Sequence, residues 1–266
     1  CRSLALESLI ALERDGRYSN LEIDARLKKS SLSDADRALY TRLVYGVTER
    51  RITLDYIISA FSSTPLSSLD DDVRTALRLG VYQLRFMDSI PEHAAVDETV
   101  GLVQKSKTGY VNAVLRAYIR AGKPLPLPDK QADYIRYISV KYSIPEPLAE
   151  HFDRSYGRGE LEDLLEAMSR EPKIGLRVNT LKLTTDEACS ILGGEKSAAA
   201  DGIVLVAGLD ERAKLGIEQG EWFVQDEASR AAAVLLGAKP DEVVVDTCAC
   251  PGGKTFSAAI DMQNRG

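Results

Sequence analysis

Apolar residues recur at helical spacing through the first 125 positions of the chain. Leu54, Ile57, Ile58 and Phe61 fall at i, i+3, i+4 and i+7, and Leu39, Tyr40, Leu43, Val44 and Val47 form a similar stripe just before them. The same period returns at Val73, Leu77, Val81 and Leu84, and at Val111, Val114, Leu115, Tyr118 and Ile119. Each stripe predicts a helix with one face in a core. Start signals agree: Ser33 precedes Asp34 and Asp36, Asp70 to Asp72 precede Val73, and Pro91 with Glu92 suits a first turn. No two-residue alternation interrupts, so residues 1–125 predict an all-helical bundle.

The pattern changes at KPLPLPDK, where Pro124, Pro126 and Pro128 exclude a helix and favour an extended linker. Residues 126–168 predict that linker and then helices broken near Pro145 and Pro147. Between 169 and 225 the period shortens. Ile174 to Val178, Ile203 to Val206 and Trp222 to Val224 read as strands, while Thr184 and Glu187 form a capping box for a helix running through Leu192. This predicts a small α+β lobe. Asp226 is placed to cap the next helix, and Glu242 to Val245 predicts a strand buried on both faces of a parallel sheet, closed by Asp246.

That run leads directly into DTCACPGGKT, Asp246 to Thr255. Gly252 and Gly253 let the backbone turn tightly and approach a ligand, and the residues from Thr255 through Ile260 predict a helix whose N-terminus faces it. The turn therefore predicts a nucleotide-like ligand, with a plain βα connection as the competing reading. A phosphate-binding P-loop is a distant third reading, although Gly253, Lys254 and Thr255 supply its ending. Its first glycine would stand at Cys248, and Pro251 removes an N–H from the phosphate cradle.

At 266 residues and 44% hydrophobic, the chain predicts about two domains. It has no run of eighteen apolar residues and no secretory pattern at Cys1, which gives the expectation of a cytoplasmic protein. Cys1, Cys189, Cys248 and Cys250 are too scattered for a disulfide framework, and His93 and His151 complete no zinc set, so no metal is expected. Charge is uneven: residues 1–125 hold 18 Lys+Arg against 16 Asp+Glu, and residues 126–266 hold 16 against 24. With a net charge of −6, any RNA site must be a local basic patch. Lys105, Lys107, Arg116, Arg120 and Lys123 concentrate charge on the last two bundle helices, and Arg50, Arg51, Arg177 and Lys182 are further candidates. For the bundle residues a solvated helix surface is the more ordinary reading, and for Arg177 and Lys182 a solvated strand end stands level with a phosphate contact. Asn112 fits either a contact between helices or a ligand-binding residue.

The turn DTCACPGGKT resembles motif I of the S-adenosylmethionine-dependent RNA 5-cytosine methyltransferases, usually DxCAAPGGKT, departing from it at Cys250. LRVNTLK (176–182) and QDEAS (225–229) are similar to runs of the same family, and Ala95 to Arg120 resembles the closing helices of the NusB family of small RNA-binding proteins. Together they imply a multi-domain fold. It comprises a NusB-like all-helical bundle at 1–125, a linker and connecting helices at 126–168, a small α+β lobe at 169–225 and the start of an α/β Rossmann-like methyltransferase domain at 226–266.

The resemblance further implies S-adenosylmethionine as cofactor, held by Cys248, Ala249, Cys250, Pro251, Gly252, Gly253 and Lys254. It implies ribosomal RNA of the small subunit as partner, met through Lys105, Arg116, Arg120, Arg177 and Lys182, and methylation at carbon 5 of a cytosine. The family's nucleophilic and helper cysteines stand in TCS and PCS motifs, neither of which occurs here. No residue is therefore assigned as catalytic, and the nucleophile is expected beyond Gly266. A doubly wound sheet needs several βα units and only one strand and one helix are predicted after Gly237, so these 266 residues are expected to be a truncated, inactive part of an enzyme. The alternative is a non-enzymatic RNA-binding module of the NusB type.

Overall fold

The computed structural model describes residues 1–170 and 172–266, which form two compact units, Cys1–Ser169 and Arg170–Gly266. The first unit opens with seven helices: α1 (Arg2–Asp15), α2 (Ser19–Lys29), α3 (Asp34–Glu49), α4 (Arg51–Phe61), α5 (Asp71–Phe86), α6 (Glu92–Val100) and α7 (Thr108–Arg120). The predicted stripes lie inside: Tyr40, Leu43, Leu54, Ile57, Ile58, Leu77, Leu115 and Tyr118 are all wholly buried. Ser33 caps α3 by accepting the Asp36 N–H at 3.2 Å.

Helix α5 departs from the sequence reading. Its pattern predicts one apolar face, yet Ala76, Leu79, Gly80, Tyr82 and Gln83 are buried as well. The reason is position: α1, α3, α4, α6 and α7 all pack against it, so it is the axis of the bundle and buried around its circumference. Its buried arginine is paired with acids from two other helices. Arg78 donates to Asp55 through Nε at 2.6 Å and Nη2 at 2.8 Å, and to Glu13 through Nη1 at 2.8 Å.

Three more helices, α8 (Tyr134–Tyr142), α9 (Glu146–Tyr156) and α10 (Arg158–Met168), gather around Tyr134, Ile138, Ala149, Leu161 and Leu165. The proline-rich stretch before them has no regular structure, as predicted. The helices after it are no free spacer. Helix α8 docks on α4, where the Thr53 hydroxyl donates to the Val140 carbonyl at 2.6 Å and the Ile52 N–H to the Ser143 hydroxyl at 3.1 Å.

The second unit is built on an antiparallel sheet of β1 (Ile174–Val178), β2 (Glu195–Lys196), β3 (Ile203–Val206) and β4 (Trp222–Val224), in the order β2-β3-β1-β4. Leu176 lies opposite Val204 on one side and Val224 on the other. Helices α11 (Thr185–Leu192) and α12 (Glu211–Glu218) cover it over Leu176, Val178, Val204, Ala213 and Trp222. The Thr184/Glu187 capping box is formed, and Asp226 caps α13 (Glu227–Leu236) by accepting the Ser229 N–H at 2.7 Å. Last comes α14 (Gly253–Asp261), beginning two residues before the predicted start.

Two expectations fail in this unit. The run Glu242 to Val245 forms no strand among the described residues, and Val243 and Val245 are 90% and 79% exposed. A parallel strand owes its ladder and its two covered faces to neighbouring strands, and none here pairs with this run. Arg177, expected as a phosphate contact or a solvated strand end, is 2% exposed. Its guanidinium is turned inward to Asp261 and the Gly202 carbonyl, at 3.3 and 3.2 Å, so it is no surface phosphate contact.

Candidate functional site

The turn from Asp246 to Thr255 is organised by its first residue. One Asp246 oxygen accepts the Cys248 N–H at 3.0 Å, and the other accepts the Thr255 hydroxyl at 2.7 Å, which fastens the loop to the helix after it. The Thr255 hydroxyl and the Cys248 N–H, with Lys254 nearby, hold the Asp246 carboxyl below its ordinary range. It is a closed local network.

The two glycines do different work. Gly252 sits at φ +114°, and a Cβ there would lie 2.7 Å from the Phe256 ring, so its conformation demands glycine for internal reasons. Gly253 begins α14, has no such φ, and a Cβ on it would meet only the Gln225 amide nitrogen, at an ordinary 3.6 Å. The protein itself does not require glycine there. The openness beside Gly253 leaves backbone that a ligand can approach, at a helix end that favours negative charge.

Beside the turn is an open cleft of about 410 Å³, lined by Cys248, Ala249, Cys250, Pro251, Gly253 and Lys254 on one side and by residues of β1, β4 and the Asp226 cap on the other. Its size suits a small cofactor. All seven residues assigned to the cofactor lie in or beside this turn. Cys248 and Cys250 are exposed free thiols, and no three His, Cys, Asp or Glu side chains gather as an ion-binding group among the described residues.

Sequence reasoning missed what supports the turn. Gln225, 5% exposed at the end of β4, donates from Nε2 to the Gly253 carbonyl at 2.9 Å and accepts the Ser257 hydroxyl at 2.7 Å. It ties the lobe to the first turn of α14. At the other end of that helix, Asp261 receives Arg230 through two bonds of 2.6 and 3.1 Å, besides Arg177. Burial, with Arg230 close by, lowers the Arg177 pKa, and Asp261 opposes that shift. The QDEAS run held the signal for Gln225, but its buried amide is legible only once β4 and α14 are adjacent.

Among the RNA candidates, Lys107 is engaged by Asp70 and Asp72 at 2.7 and 3.0 Å, and Lys123 by Glu92 at 2.8 Å. Lys105, Arg116 and Arg120 face solvent. Asn112 accepts Arg116 Nε at 2.8 Å one turn along α7, so it serves its own helix instead of a second one. Lys182 is exposed, with Nζ donating to the Gln219 carbonyl at 2.5 Å. No helix among the described residues is long and apolar enough to cross a membrane.

Comparison with known proteins agrees with this architecture. Residues 1–120 match the NusB family, and residues 144–210 match the ferredoxin-like domain of RsmF/B-like methyltransferases. The chain thus holds a region similar to the NusB family followed by one similar to that ferredoxin-like domain. One particular name recurs among its relatives. Proteins called probable ribosomal RNA small subunit methyltransferase B, from Synechocystis sp. and Bacillus subtilis, are 34% and 35% identical over 100% of the chain, which covers 61% of each. The ribosomal RNA small subunit methyltransferase B of Pseudomonas putida is 33% identical over 95% of the chain and 58% of its own length. The chain thus spans about three fifths of these relatives. In structure it is similar to PH0851, with a TM-score of 0.62 and 25% identity over 99% of this chain and 62% of that one.

Proposed function

We propose that the chain belongs to an enzyme that transfers a methyl group from S-adenosylmethionine to carbon 5 of a cytosine in small-subunit ribosomal RNA. The observation that carries this reading is the turn, whose Gly253 backbone is open to a ligand although the protein's own packing does not demand it. The residues from Cys248 to Lys254 would hold the cofactor, which supplies an electrophilic methyl. The positive end of α14 would favour a negatively charged group of that cofactor. Gln225 and Asp246 hold the turn in place from its two sides.

Carbon 5 of cytosine becomes nucleophilic when a thiolate adds to carbon 6, which divides one hard step into easier ones. Cys248 and Cys250 belong to the cofactor turn and Cys189 to α11, so none of them takes that role. The test supplies labelled S-adenosylmethionine and unmethylated small-subunit ribosomal RNA to the 266-residue chain, and to the protein carried to the length of its relatives. Label on cytosine carbon 5 is expected with the longer protein and none with the shorter. Label on another base would overturn the assignment, and label with the 266 residues alone would make one of their cysteines the nucleophile.

RNA contact is assigned to Lys105, Arg116 and Arg120 on the bundle and to Lys182 on the lobe. Reversing Arg116 and Arg120 to glutamate should leave the bundle folded, since both are exposed. It should flatten the slope of log affinity against log salt by about 0.7 per lost phosphate contact on single-stranded RNA. An unchanged slope in a filter-binding titration would move the contact to Lys182 and the lobe.

A further inference from the structure

Cys248 and Cys250 stand one residue apart in the turn itself. Both are exposed free thiols, and both line the cleft of about 410 Å³ beside Gly253. The proposed methyl transfer gives their sulfurs no task, since the turn meets its ligand through backbone. Cys250 is also the position at which the turn departs from the motif it resembles, and the departure is what turns a single thiol into a pair.

The chain itself keeps the two within reach. Cα atoms separated by one residue are at most about 7 Å apart, and a bend brings them nearer. A disulfide spans Cα atoms at about 4.4–6.8 Å. Residues 247–248 and 250–251 lie in turns, with neither cysteine in a helix or strand, so no ladder has to break for the sulfurs to meet. Among the described residues one hydrogen bond reaches the pair, from the Cys248 N–H to Asp246 at 3.0 Å. The other thiols compete poorly. Cys189 is half-buried on α11, where burial pushes its thiol up and leaves it less thiolate, and Cys1 belongs to the other unit.

We propose that Cys248 and Cys250 form a reversible dithiol–disulfide switch, oxidised by a peroxide, that closes the turn to its cofactor. One thiolate attacks an oxygen of hydrogen peroxide, the O–O bond breaks, and the departing hydroxide takes up the thiol's proton as water, leaving a sulfenic acid. The second thiol attacks that sulfur: the S–S bond forms, the S–O bond breaks and a second water leaves. The two thiols thus give up two electrons and two protons, and the peroxide is reduced to two molecules of water. A bridge that is exposed and closes so short a loop adds little stability, which places it among the labile disulfides that a small dithiol reduces again. It locks the backbone from 248 to 250. Asp246 fastens both the Cys248 N–H and the Thr255 hydroxyl, so a change at Cys248 reaches the start of α14. The inference rests on the reading of this turn as a cofactor site.

The experiment treats the 266-residue chain with hydrogen peroxide and maps its peptides by mass. The peptide carrying both cysteines is expected to be lighter by two hydrogens and closed to iodoacetamide, and dithiothreitol should restore it. Calorimetry with S-adenosylmethionine then follows the protein at its relatives' length before and after diamide, which joins paired thiols and adds no oxygen to a single one. Affinity should fall about tenfold and return with dithiothreitol. By reciprocity the cofactor should raise the midpoint potential of the pair by the same factor, about 30 mV. Each protein is its own reference, and Cys250→Ala should bind equally before and after diamide. A recoverable loss in Cys250→Ala as large as in the wild type would overturn the pair, as would a peptide that is alkylated at both thiols or only gains oxygen. A joined pair with cofactor affinity within threefold of the reduced protein would overturn the switch and leave the cofactor site standing. A reduced protein that binds no S-adenosylmethionine would overturn the cofactor reading and the switch with it, while the peptide mass still shows whether the thiols join.

Discussion

Valine at position 253 is expected to abolish binding of S-adenosylmethionine without unfolding the second unit. A Cβ there stands 3.6 Å from Gln225 and nothing closer, so the backbone has room for a side chain, and the added bulk is expected to obstruct what approaches the turn from outside. The affinity loss should reach about 100-fold, some 2.7 kcal/mol. Gly252→Val provides the contrast. At φ +114°, and with the Phe256 ring 2.7 Å from the new Cβ, it should cost roughly 1–3 kcal/mol of stability and disturb the turn itself. Calorimetry and thermal unfolding on the protein at its relatives' length separate the two. Cofactor affinity within threefold of wild type in Gly253→Val would remove the turn from the binding site.

Asp261→Ala is expected to lower the stability of the second unit by about 3 kcal/mol, because it leaves two buried guanidinium groups facing each other without their shared carboxylate. Side-chain exposure is 2% for Arg177 and 6% for Arg230, so water does little to replace it. Asp261 itself is 25% exposed, which places the figure at the low end of the range for broken buried pairs. Urea unfolding followed through the Trp222 fluorescence reads the effect, since Trp222 is wholly buried in this unit. A change below about 1 kcal/mol, the scale of a surface ion pair, would mean that solvent reaches both arginines.

The features legible in the sequence are local ones. The stripes of α3, α4 and α7, the Ser33 and Asp226 caps, the Thr184 capping box and three of the four strands arise from spacing and side-chain chemistry within a dozen residues. The features that stay hidden depend on residues far apart. Arg177 reads as a surface charge until Asp261, 84 positions later, is brought against it. Helix α5 reads as amphipathic because a one-dimensional pattern does not tell how many neighbours will surround it. Gly252 and Gly253 are identical letters, and only the backbone separates the one that the fold requires from the one where a Cβ has room. The valines from 243 to 245 have the right composition for a strand, but composition supplies no neighbours to pair with.

Helix α14 is held at both ends, by Gln225 of the lobe at Gly253 and by Arg177 of β1 and Arg230 of α13 at Asp261. A rod fixed at two points has no independent freedom to rotate, so a displacement of β1 or β4 is carried to the turn as a lever carries it. A ligand that shifts the sheet therefore changes the free energy of whatever occupies the turn. Reciprocity then requires the occupant to alter the affinity of the sheet's ligand by the same factor, so that each equilibrium reports on the other.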